Sequence, residues 1–285
     1  MRGNKMKYLI VGAKGQLGQE LQHLLDDQHV TFVAFDADEL DVTNREQVFD
    51  TLQLIKPDVI LDAAAYTAVD AAEDEGKELN WLVNAEGTKN LADAATKIGS
   101  ILVYVSTDYV FDGTKDGEYF ETDITHPMNE YGKAKRAGEE VVLNSGAKAY
   151  IVRTSWVFGE YGNNFVFTMQ KLARKLDRLT VVNDQLGRPT WTKTLAEFMM
   201  HLIYEKADYG IYNLSNSGKA TWYEFAKEIL KDEDVVIEPV TSDAFPQKAY
   251  RPKRSVMSLA KSESTGFYIP TWKEALSSFM KSLPE

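Results

Sequence analysis

The chain has 285 residues, of which 44% are hydrophobic, and a formal net charge of −11. This length suffices for one large domain, or for one domain with a smaller lobe, and the acidic balance argues against a nucleic acid or an anionic membrane as partner. No apolar run approaches the ~20 residues of a membrane span. Without cysteine there is no disulfide, thiol nucleophile or thiolate metal site. The four scattered histidines form no ligand pair at helical spacing, which favours ordinary surface histidines.

The first residues carry no sign of a secretion signal. Residues 1–5 look like an extension before a strand, and the apolar stretch of a signal peptide is missing there. We therefore expect a soluble, cytoplasmic protein.

The first half of the chain alternates short apolar strands with amphipathic helices. Apolar runs such as Tyr8-Leu-Ile-Val11 predict parallel strands buried on both faces. The predicted strands are 8–11, 31–35, 57–61, 101–105 and 149–152. The predicted helices are 17–25, 43–55, 80–98 and 129–144, and Thr43 with Glu46 forms a capping box for the second. Repeated β-α units require right-handed crossovers, so we predict an α/β fold with an open, doubly wound parallel sheet.

A glycine-rich turn lies between the first strand and the first helix. Its pattern is G-x-x-G-x-x-G, in Gly12-Ala-Lys-Gly15-Gln-Leu-Gly18. A tight turn at this place brings backbone N–H groups and a helix N-terminus against a pyrophosphate, as in dinucleotide-binding folds. The pattern alone is weak, but its strand-turn-helix context favours a cofactor site. The candidate contacts are Gly12, Lys14, Gly15, Gln16, Leu17 and Gly18.

An acidic residue follows the second strand at the spacing typical of a ribose ligand. Asp36 comes 18 residues after Gly18 and favours NAD, because a carboxylate repels a 2′-phosphate. Lys14 would offset that repulsion, and Asp41 is an alternative acid, so the cofactor is left as NADPH or NADH. We further predict contacts from the small residues that end the third strand and from two polar residues beyond them. These are Ala63, Ala64, Ala65, Tyr66 and Asn84, although core packing explains the alanines equally well.

The alternation stops after Ser155. Helices predicted at 165–175, 194–204 and 222–230 are separated by loops and short strands. We expect residues 1–155 to form an NAD(P)-binding Rossmann domain. Residues 156–285 should form mainly a smaller, mixed substrate lobe over the carboxyl ends of the strands, with a strand near 211–214 returning to the main sheet.

A phenol and an ammonium group share one face of the helix predicted at 129–144. Tyr131 and Lys135 are separated by one turn. A nearby cation and the helix N-terminus should lower the phenol pKa from its usual ~10. Such spacings often arise by chance, but here the pair follows a dinucleotide turn and a strand that ends in Ser106-Thr107. Side chains alternate along a strand, so only one of these two hydroxyls can face the reacting centre, and periodicity does not decide which.

Several segments resemble the extended short-chain dehydrogenase/reductase family and, within it, the dTDP-4-dehydrorhamnose reductases. The resemblance implies NAD(P)H-dependent reduction of the 4-keto group of dTDP-4-dehydro-β-L-rhamnose to dTDP-β-L-rhamnose, the last step towards this sugar donor for cell-envelope polysaccharides. The segments that carry it are 63–70, 106–113, 131–139, 153–158, 162–165 and 184–190.

The same resemblance implies roles for individual residues. Tyr131 would protonate the carbonyl oxygen, Lys135 would hold the nicotinamide ribose and lower the phenol pKa, and Thr107, rather than Ser106, would hydrogen-bond the oxygen. The segment around Arg251 and Arg254 would reach towards the nucleotide. The implied substrate contacts are Thr67, Val69, Thr107, Asp108, Tyr109, Trp156 and Arg188. Aromatic packing between the lobes is an equal alternative for Tyr109 and Trp156, and a carboxylate pair is the alternative for Arg188.

The resemblance leaves some properties open. Some relatives are metal-linked dimers, but the corresponding acidic residues are missing here, so we expect no essential metal and leave monomer and homodimer open. One rival function is a sugar-nucleotide epimerase or dehydratase, although the dehydratases have Asp-Glu where Asp108-Tyr109 stands. Another is a non-catalytic regulatory subunit, like the β subunit of methionine adenosyltransferase. The retention of Thr107, Tyr131 and Lys135 disfavours that alternative.

Overall fold

The computed structural model describes residues 6–283. The predicted N-terminal extension, residues 1–5, lies outside this part. None of the helices in it is long and apolar enough to cross a membrane.

The first part of the chain follows the predicted alternation of strands and helices. Its strands are β1 (Tyr8–Val11), β2 (Phe32–Phe35), β3 (Val59–Asp62), β4 (Ile101–Thr107) and β5 (Lys148–Thr154). Its helices are α1 (Gln16–Asp27), α2 (Arg45–Ile55), α3 (Lys77–Trp81), α4 (Thr88–Ile98) and α5 (Glu130–Asn144). A π-helical turn, Leu82–Gly87, joins α3 to α4, where we predicted one continuous helix. Asn44, not Thr43, caps α2, by accepting a hydrogen bond from the Gln47 N–H.

The second part contributes shorter elements. The strands are β6 (Val157–Phe158), β7 (Arg178–Val182), β8 (Leu186–Gly187), β9 (Thr190–Trp191), β10 (Gly210–Asn213), β11 (Ala220–Thr221) and β12 (Val236–Val240). The helices are α6 (Phe165–Ala173), α7 (Thr192–Tyr204), α8 (Trp222–Ile229), α9 (Ala260–Ser264) and α10 (Trp272–Ser282). The capping box predicted at Thr221 and Glu224 is present at the start of α8.

Six parallel strands form the central sheet in the order β10-β5-β4-β3-β1-β2. The predicted doubly wound α/β fold is confirmed. Strand order reverses between β1 and β3, and ligands of such sheets bind at the carboxyl ends of the strands beside that reversal. The last strand, β10, pairs with β5 although it belongs to the second half of the chain.

Alternate side chains of each strand enter two different hydrophobic cores. Tyr8 and Ile10 of β1 pack with α1 and α7 on one face, whereas Leu9 and Val11 pack with α2 and α4 on the other. Both faces are therefore covered by helices, which explains why the strand sequences are continuously apolar. A third core, built around Phe158 and Phe225, lies in the second part of the chain. The domain boundary at residue 155 stays a prediction.

Strand β4 is longer than predicted because its polar end pairs with β5. Ser106 lies opposite Arg153 and Thr107 opposite Thr154. Below them, Glu139 of α5 accepts two hydrogen bonds of 2.7 Å from Arg153 and one of 2.7 Å from the Ser106 hydroxyl. Glu139 and Arg153 are almost fully buried. This ion pair joins α5 to the end of the sheet.

Breaking the ion pair should destabilise the protein strongly. We expect Arg153→Met to lower the free energy of unfolding by about 3 kcal/mol. The buried Glu139 carboxylate would lose its two short hydrogen bonds to Arg153 and keep the Arg136 guanidinium, 3.8 Å away, as a weaker partner. Urea unfolding followed by circular dichroism measures the change. The double variant E139L/R153M should recover much of the loss, and a double variant less stable than R153M would contradict this explanation.

Candidate functional site

The glycine turn packs against the end of β3 so closely that there is no room for a side chain at Gly12. Gly12 has φ +80°, and a Cβ there would lie 2.7 Å from the Ala64 nitrogen. A Cβ on Gly18 would lie 2.1 Å from the Gly12 oxygen. A side chain at Gly12 would force the turn away from the end of β3, and one at Gly18 would force α1 away from the turn. The glycines are therefore needed for the packing of the turn, in addition to any approach of a pyrophosphate.

A cavity of about 230 Å³ opens between this turn, β2 and β3. Many of the predicted cofactor contacts line it, namely Gly12, Gly15, Asp36, Asp41, Ala63, Ala64, Ala65 and Tyr66. It lies at the carboxyl ends of the strands, where the reversal of strand order predicts a nucleotide. The residues fit the adenosine half of NADPH or NADH, because small side chains form the wall and an acidic residue stands at the end of β2.

Other predicted cofactor residues lie elsewhere. Leu17 and Gly18 are buried in α1. The Gln16 side chain turns towards Gly162 and Asn164. Asn84 is wholly buried, and its amide group bonds the Tyr66 backbone at 2.9 and 3.2 Å. The polar atoms of Asn84 are thus used to hold the cavity wall, and direct contact between Asn84 and the cofactor stays a prediction.

The acids after β2 are tied to Lys14. The Lys14 N–H donates to Asp36 at 3.1 Å, and the ammonium group donates to Asp38 at 2.8 Å and lies 3.9 Å from Asp36. One carboxylate suited to ribose hydroxyls thus stands beside one cation suited to a 2′-phosphate. This arrangement is compatible with both cofactors.

Tyr131 is placed by the first turn of α5. Asn129 caps the helix by accepting a 2.7 Å hydrogen bond from the Gly132 N–H. Gly132 packs against the turn after β4, where a Cβ would lie 2.2 Å from the Tyr109 oxygen. The rings of Tyr109 and Tyr131 therefore meet edge to face, with centroids 6.1 Å apart. The close approach brings the phenol to the end of β4.

The two hydroxyls at the end of β4 point to different neighbours. Ser106 is bound to Glu139 on the side of the ion pair. Thr107 lies 3.2 Å from the Asp108 carboxyl group, accepts a 3.1 Å hydrogen bond from the Tyr109 N–H, and bonds the Tyr131 hydroxyl. The geometry supports the assignment of Thr107, not Ser106, to the reacting centre.

The pKa of Tyr131 differs from our expectation. Burial raises it well above the usual value, the Asp108 carboxylate raises it further, and the hydrogen bond from Thr107 acts in the opposite direction. The expected lowering by Lys135 is not seen. Lys135 is itself buried, with its ammonium 4.2 Å from the Tyr104 ring, and desolvation lowers its pKa although Asp62 and Glu139 oppose this. A phenol that stays protonated suits a proton donor.

A second cavity, of about 310 Å³, lies between the end of β4 and the second part of the chain. Tyr109 lines it, as predicted. Aromatic and amide side chains that we had not assigned to the site also line this cavity. They include Phe165, Gln185, Trp222, Phe245 and Gln247. In the sequence, Trp222 directly follows the helix cap Thr221. That position predicts the start of a helix but not a cavity wall.

Arg251 brings a cation into this cavity. Its guanidinium donates to Asp70 at 2.9 Å and lies 5.8 Å from the Tyr109 ring centre. The neighbouring Ala249 N–H also donates to Asp70, at 3.0 Å. The C-terminal segment is thus fixed across the site. Arg254 instead donates to the exposed Asp116.

Trp156 has the strained backbone often found at functional sites. Its φ is +48°, which is unusual for a bulky residue. Its ring stacks on Trp222 with centroids 3.7 Å apart. Gly187 makes room, since a Cβ there would lie 2.6 Å from the Trp156 ring. Trp156 therefore supports one wall of the second cavity through Trp222.

The structure does not bring the other predicted substrate contacts into either cavity. Thr67 is exposed and Val69 half-buried, in the loop after β3. The Arg188 guanidinium donates to the oxygens of Gly218 and Met257 and to the Glu118 carboxylate. Because all of these are protein acceptors, the geometry favours the alternative carboxylate pair for Arg188, and its contact with the substrate stays a prediction. Within residues 6–283, no group of three or more histidine or acidic side chains is arranged to hold a metal ion.

Comparisons with known proteins agree with this geometry. A family model described as the RmlD substrate binding domain matches residues 6–284. The chain belongs to this family. It is 42% identical to a dTDP-4-dehydrorhamnose reductase of Aggregatibacter actinomycetemcomitans, over 95% of this chain and 97% of that protein. The crystal structure of the Bacillus anthracis dTDP-4-dehydrorhamnose reductase in complex with NADP is 41% identical and has a TM-score of 0.94, covering 98% of this chain and 100% of the other.

One relative carries a different description. A Streptomyces antibioticus protein, 38% identical over 95% of this chain and 93% of that protein, is named a probable dTDP-4,6-dihydroxy-2-methyloxan-3-one 4-ketoreductase. The family therefore includes reductases named for more than one keto sugar. The predicted resemblance to dTDP-4-dehydrorhamnose reductases is confirmed.

The two hydroxyls should respond differently to mutation. Thr107→Val should lower kcat by about 10²–10³, the typical cost of losing one oxyanion donor. Ser106→Ala should leave kcat near that of the parent chain but lower the free energy of unfolding by about 1–3 kcal/mol, because Glu139 loses a hydrogen bond. Steady-state rates and urea unfolding measure both. Thr107→Ser is the matched control, and a larger loss of turnover in S106A than in T107V would reverse the assignment.

Asp36 should control the choice between the two cofactors. We expect Asp36→Asn to raise the KM for NADH by about tenfold and to change the KM for NADPH less, because a charged acceptor for ribose is replaced by a neutral one. Asp38→Asn weakens the 2.8 Å ionic hydrogen bond from Lys14 but changes no residue that lines the cavity, so it serves as the control. Equal effects of D36N on both KM values would contradict the role of Asp36.

Proposed function

We propose that this chain is an oxidoreductase that uses NADPH or NADH to reduce the 4-keto group of dTDP-4-dehydro-β-L-rhamnose to dTDP-β-L-rhamnose. The observation that carries the proposal is the approach of Tyr131 to Thr107 at the end of β4, next to Tyr109, which lines the cavity with the aromatic rings and Arg251. Lys135 lies one turn further along the same helix, and the dinucleotide-type cavity lies at the carboxyl ends of the neighbouring strands. Membership of the family and the names of its relatives support it.

The residues at the end of β4 and the start of α5 complete the reduction. When bound, the reduced nicotinamide supplies the hydride. Tyr131 gives its proton to the carbonyl oxygen as negative charge grows there, and Thr107 stabilises the same oxygen by a hydrogen bond. Lys135, buried one turn along α5, would hold the nicotinamide ribose and provide positive charge as Tyr131 loses its proton. A raised phenol pKa keeps the donor protonated until the substrate oxygen becomes basic.

The second cavity has the chemistry for the nucleotide half of the substrate. Phe165 and Trp222 offer flat faces for a pyrimidine base, and Gln185 and Gln247 offer amide groups for its edge. Arg251 is well suited to the pyrophosphate, since its planar fork matches phosphate oxygens. We therefore propose Arg251 as a substrate contact in place of Arg188. Residues 1–155 would provide the cofactor side and residues 156–285 most of the substrate side.

Two other functions are less well supported. A dehydratase would need an acid and a base after Thr107, but Asp108 is followed by Tyr109. A non-catalytic regulatory subunit has no requirement for Thr107 and Tyr131 to face each other, yet they do. A reductase for another dTDP-4-keto sugar, like the Streptomyces antibioticus relative, is the second candidate. We also propose that the enzyme acts in the cytoplasm, without an essential metal.

The decisive assay follows NADPH oxidation at 340 nm with the keto sugar nucleotide, in the presence of EDTA. We expect turnover by the parent chain and formation of the dTDP-rhamnose product. Tyr131→Phe should lower kcat by about 10²–10⁴, because a general acid is lost, while the dissociation constant for NADPH changes little. Near-normal turnover of Y131F, or a parent chain that binds NADPH but never oxidises it, would contradict the mechanism or the function. Activity that needs added magnesium would contradict the metal-free proposal.

A further inference from the structure

Asp108 is a buried carboxyl group that nothing in its surroundings neutralises. It is 2% exposed, and its Oδ2 atom has no hydrogen-bond partner. Among residues 6–283, no cationic side chain lies within ion-pairing distance of it; Arg251, on the same side of the site, pairs with Asp70 instead. A charge buried without a partner costs several kcal/mol, so such a carboxyl group binds a proton. Burial accordingly raises the pKa of Asp108 to about 7.

The proton on Asp108 decides what Thr107 can do. The Thr107 hydroxyl has one hydrogen and two acceptor positions. One position is taken by the Tyr109 N–H at 3.1 Å, and Asp108 Oδ1 lies 3.2 Å from the same oxygen. When Asp108 is charged, it can only accept, and the Thr107 hydrogen is directed to it. When Asp108 is protonated, it can donate, and the Thr107 hydrogen is free for the site.

We propose that Asp108 is a positioning residue that carries a proton in the active enzyme and donates it as a hydrogen bond to Thr107, whose own hydrogen then points to the substrate oxygen. The proposal rests on the reductase function above, in which Thr107 must be a donor. No proton leaves Asp108 during turnover, so the balance of the reaction is unchanged. Asp108 acts only through Thr107.

The ionisable groups around Asp108 do not favour its charged form. Tyr131 of α5 and Tyr109 of its own turn face it, and each has its pKa raised by the Asp108 charge. Hydrogen bonds from the Ser255 and Thr107 hydroxyls and from the backbone N–H groups of Asp108 and Tyr109 favour the charged form, but burial outweighs them together. Because the pKa is raised, the donor form of Thr107 is present below about pH 7 and is lost as the pH increases through that value.

The test compares the pH dependence of kcat in the parent chain and in Asp108→Asn. The parent kcat should decrease about tenfold per pH unit above the Asp108 pKa, as for any group needed in its protonated form. An asparagine amide keeps a donor at every pH, so D108N should have a flat kcat from about pH 7 up to the lowered pKa of Lys135, about 8, above which both proteins lose the lysine charge. Asp116→Asn, at an exposed carboxylate that pairs with Arg254, is the matched control and should keep the parent profile.

Two further measurements separate the possible failures. Thr107→Val should lose the alkaline decrease, because no hydroxyl remains to be redirected. The proposal is overturned if D108N loses activity about 100-fold at every pH, if it keeps the parent decrease, or if T107V keeps it. NADPH binding and thermal melting of D108N show that the variant is folded. Failure of the reductase function itself would be seen in the parent chain, which would not oxidise NADPH with the keto sugar.

Discussion

The contact between the first turn of α5 and the end of β4 determines the geometry of the whole site. Gly132 lies so close to the Tyr109 carbonyl group that no side chain fits between them. Two further sets of contacts hold α5 in place. Asn129 caps its first turn, and Glu139, further along the helix, is bonded to Ser106 of β4 and Arg153 of β5. With the helix fixed at both points, Tyr131 faces Thr107. Lys135 is buried one turn further along α5. A slip of one residue in β4 would exchange the two hydroxyls and destroy this arrangement.

Under the proposed function, the two cavities serve the same reacting groups from different sides of the chain. On one side, the glycine turn and the alanines after β3 form a wall without bulky side chains, beside Asp36. On the other side, Tyr109 separates the end of β4 from the aromatic cavity, where Arg251 is held by Asp70. A cofactor and a substrate bound in these places would meet above Thr107 and Tyr131. This is why residues from such distant parts of the sequence are required for one reaction.

Much of this arrangement could be predicted from the sequence, and the exceptions have physical causes. Apolar strands, helix spacing and the glycine turn identified the sheet and the dinucleotide end, because these depend on local patterns. The choice between Ser106 and Thr107 depended on what lies opposite each side chain, which a single strand does not reveal. Arg188 and Asn84 were assigned to ligands because their types suit ligands, but in this structure their polar atoms already have hydrogen-bond partners within the protein. Trp222 and Gln185 were missed because a substrate lobe built from short strands has no periodic pattern to mark its cavity.

The buried charges explain why sequence reasoning also failed for the phenol. A lysine one turn away was expected to lower the Tyr131 pKa, but Lys135 is desolvated and balanced by the carboxylates of Asp62 and Glu139. The Tyr131 hydroxyl faces Asp108 and Thr107 instead, and burial, the largest cause, raises its pKa whether or not Asp108 is charged. For a reductase this direction is useful. The group that must give up a proton holds it firmly in the resting site, and only the negative charge growing on the substrate oxygen makes the transfer favourable.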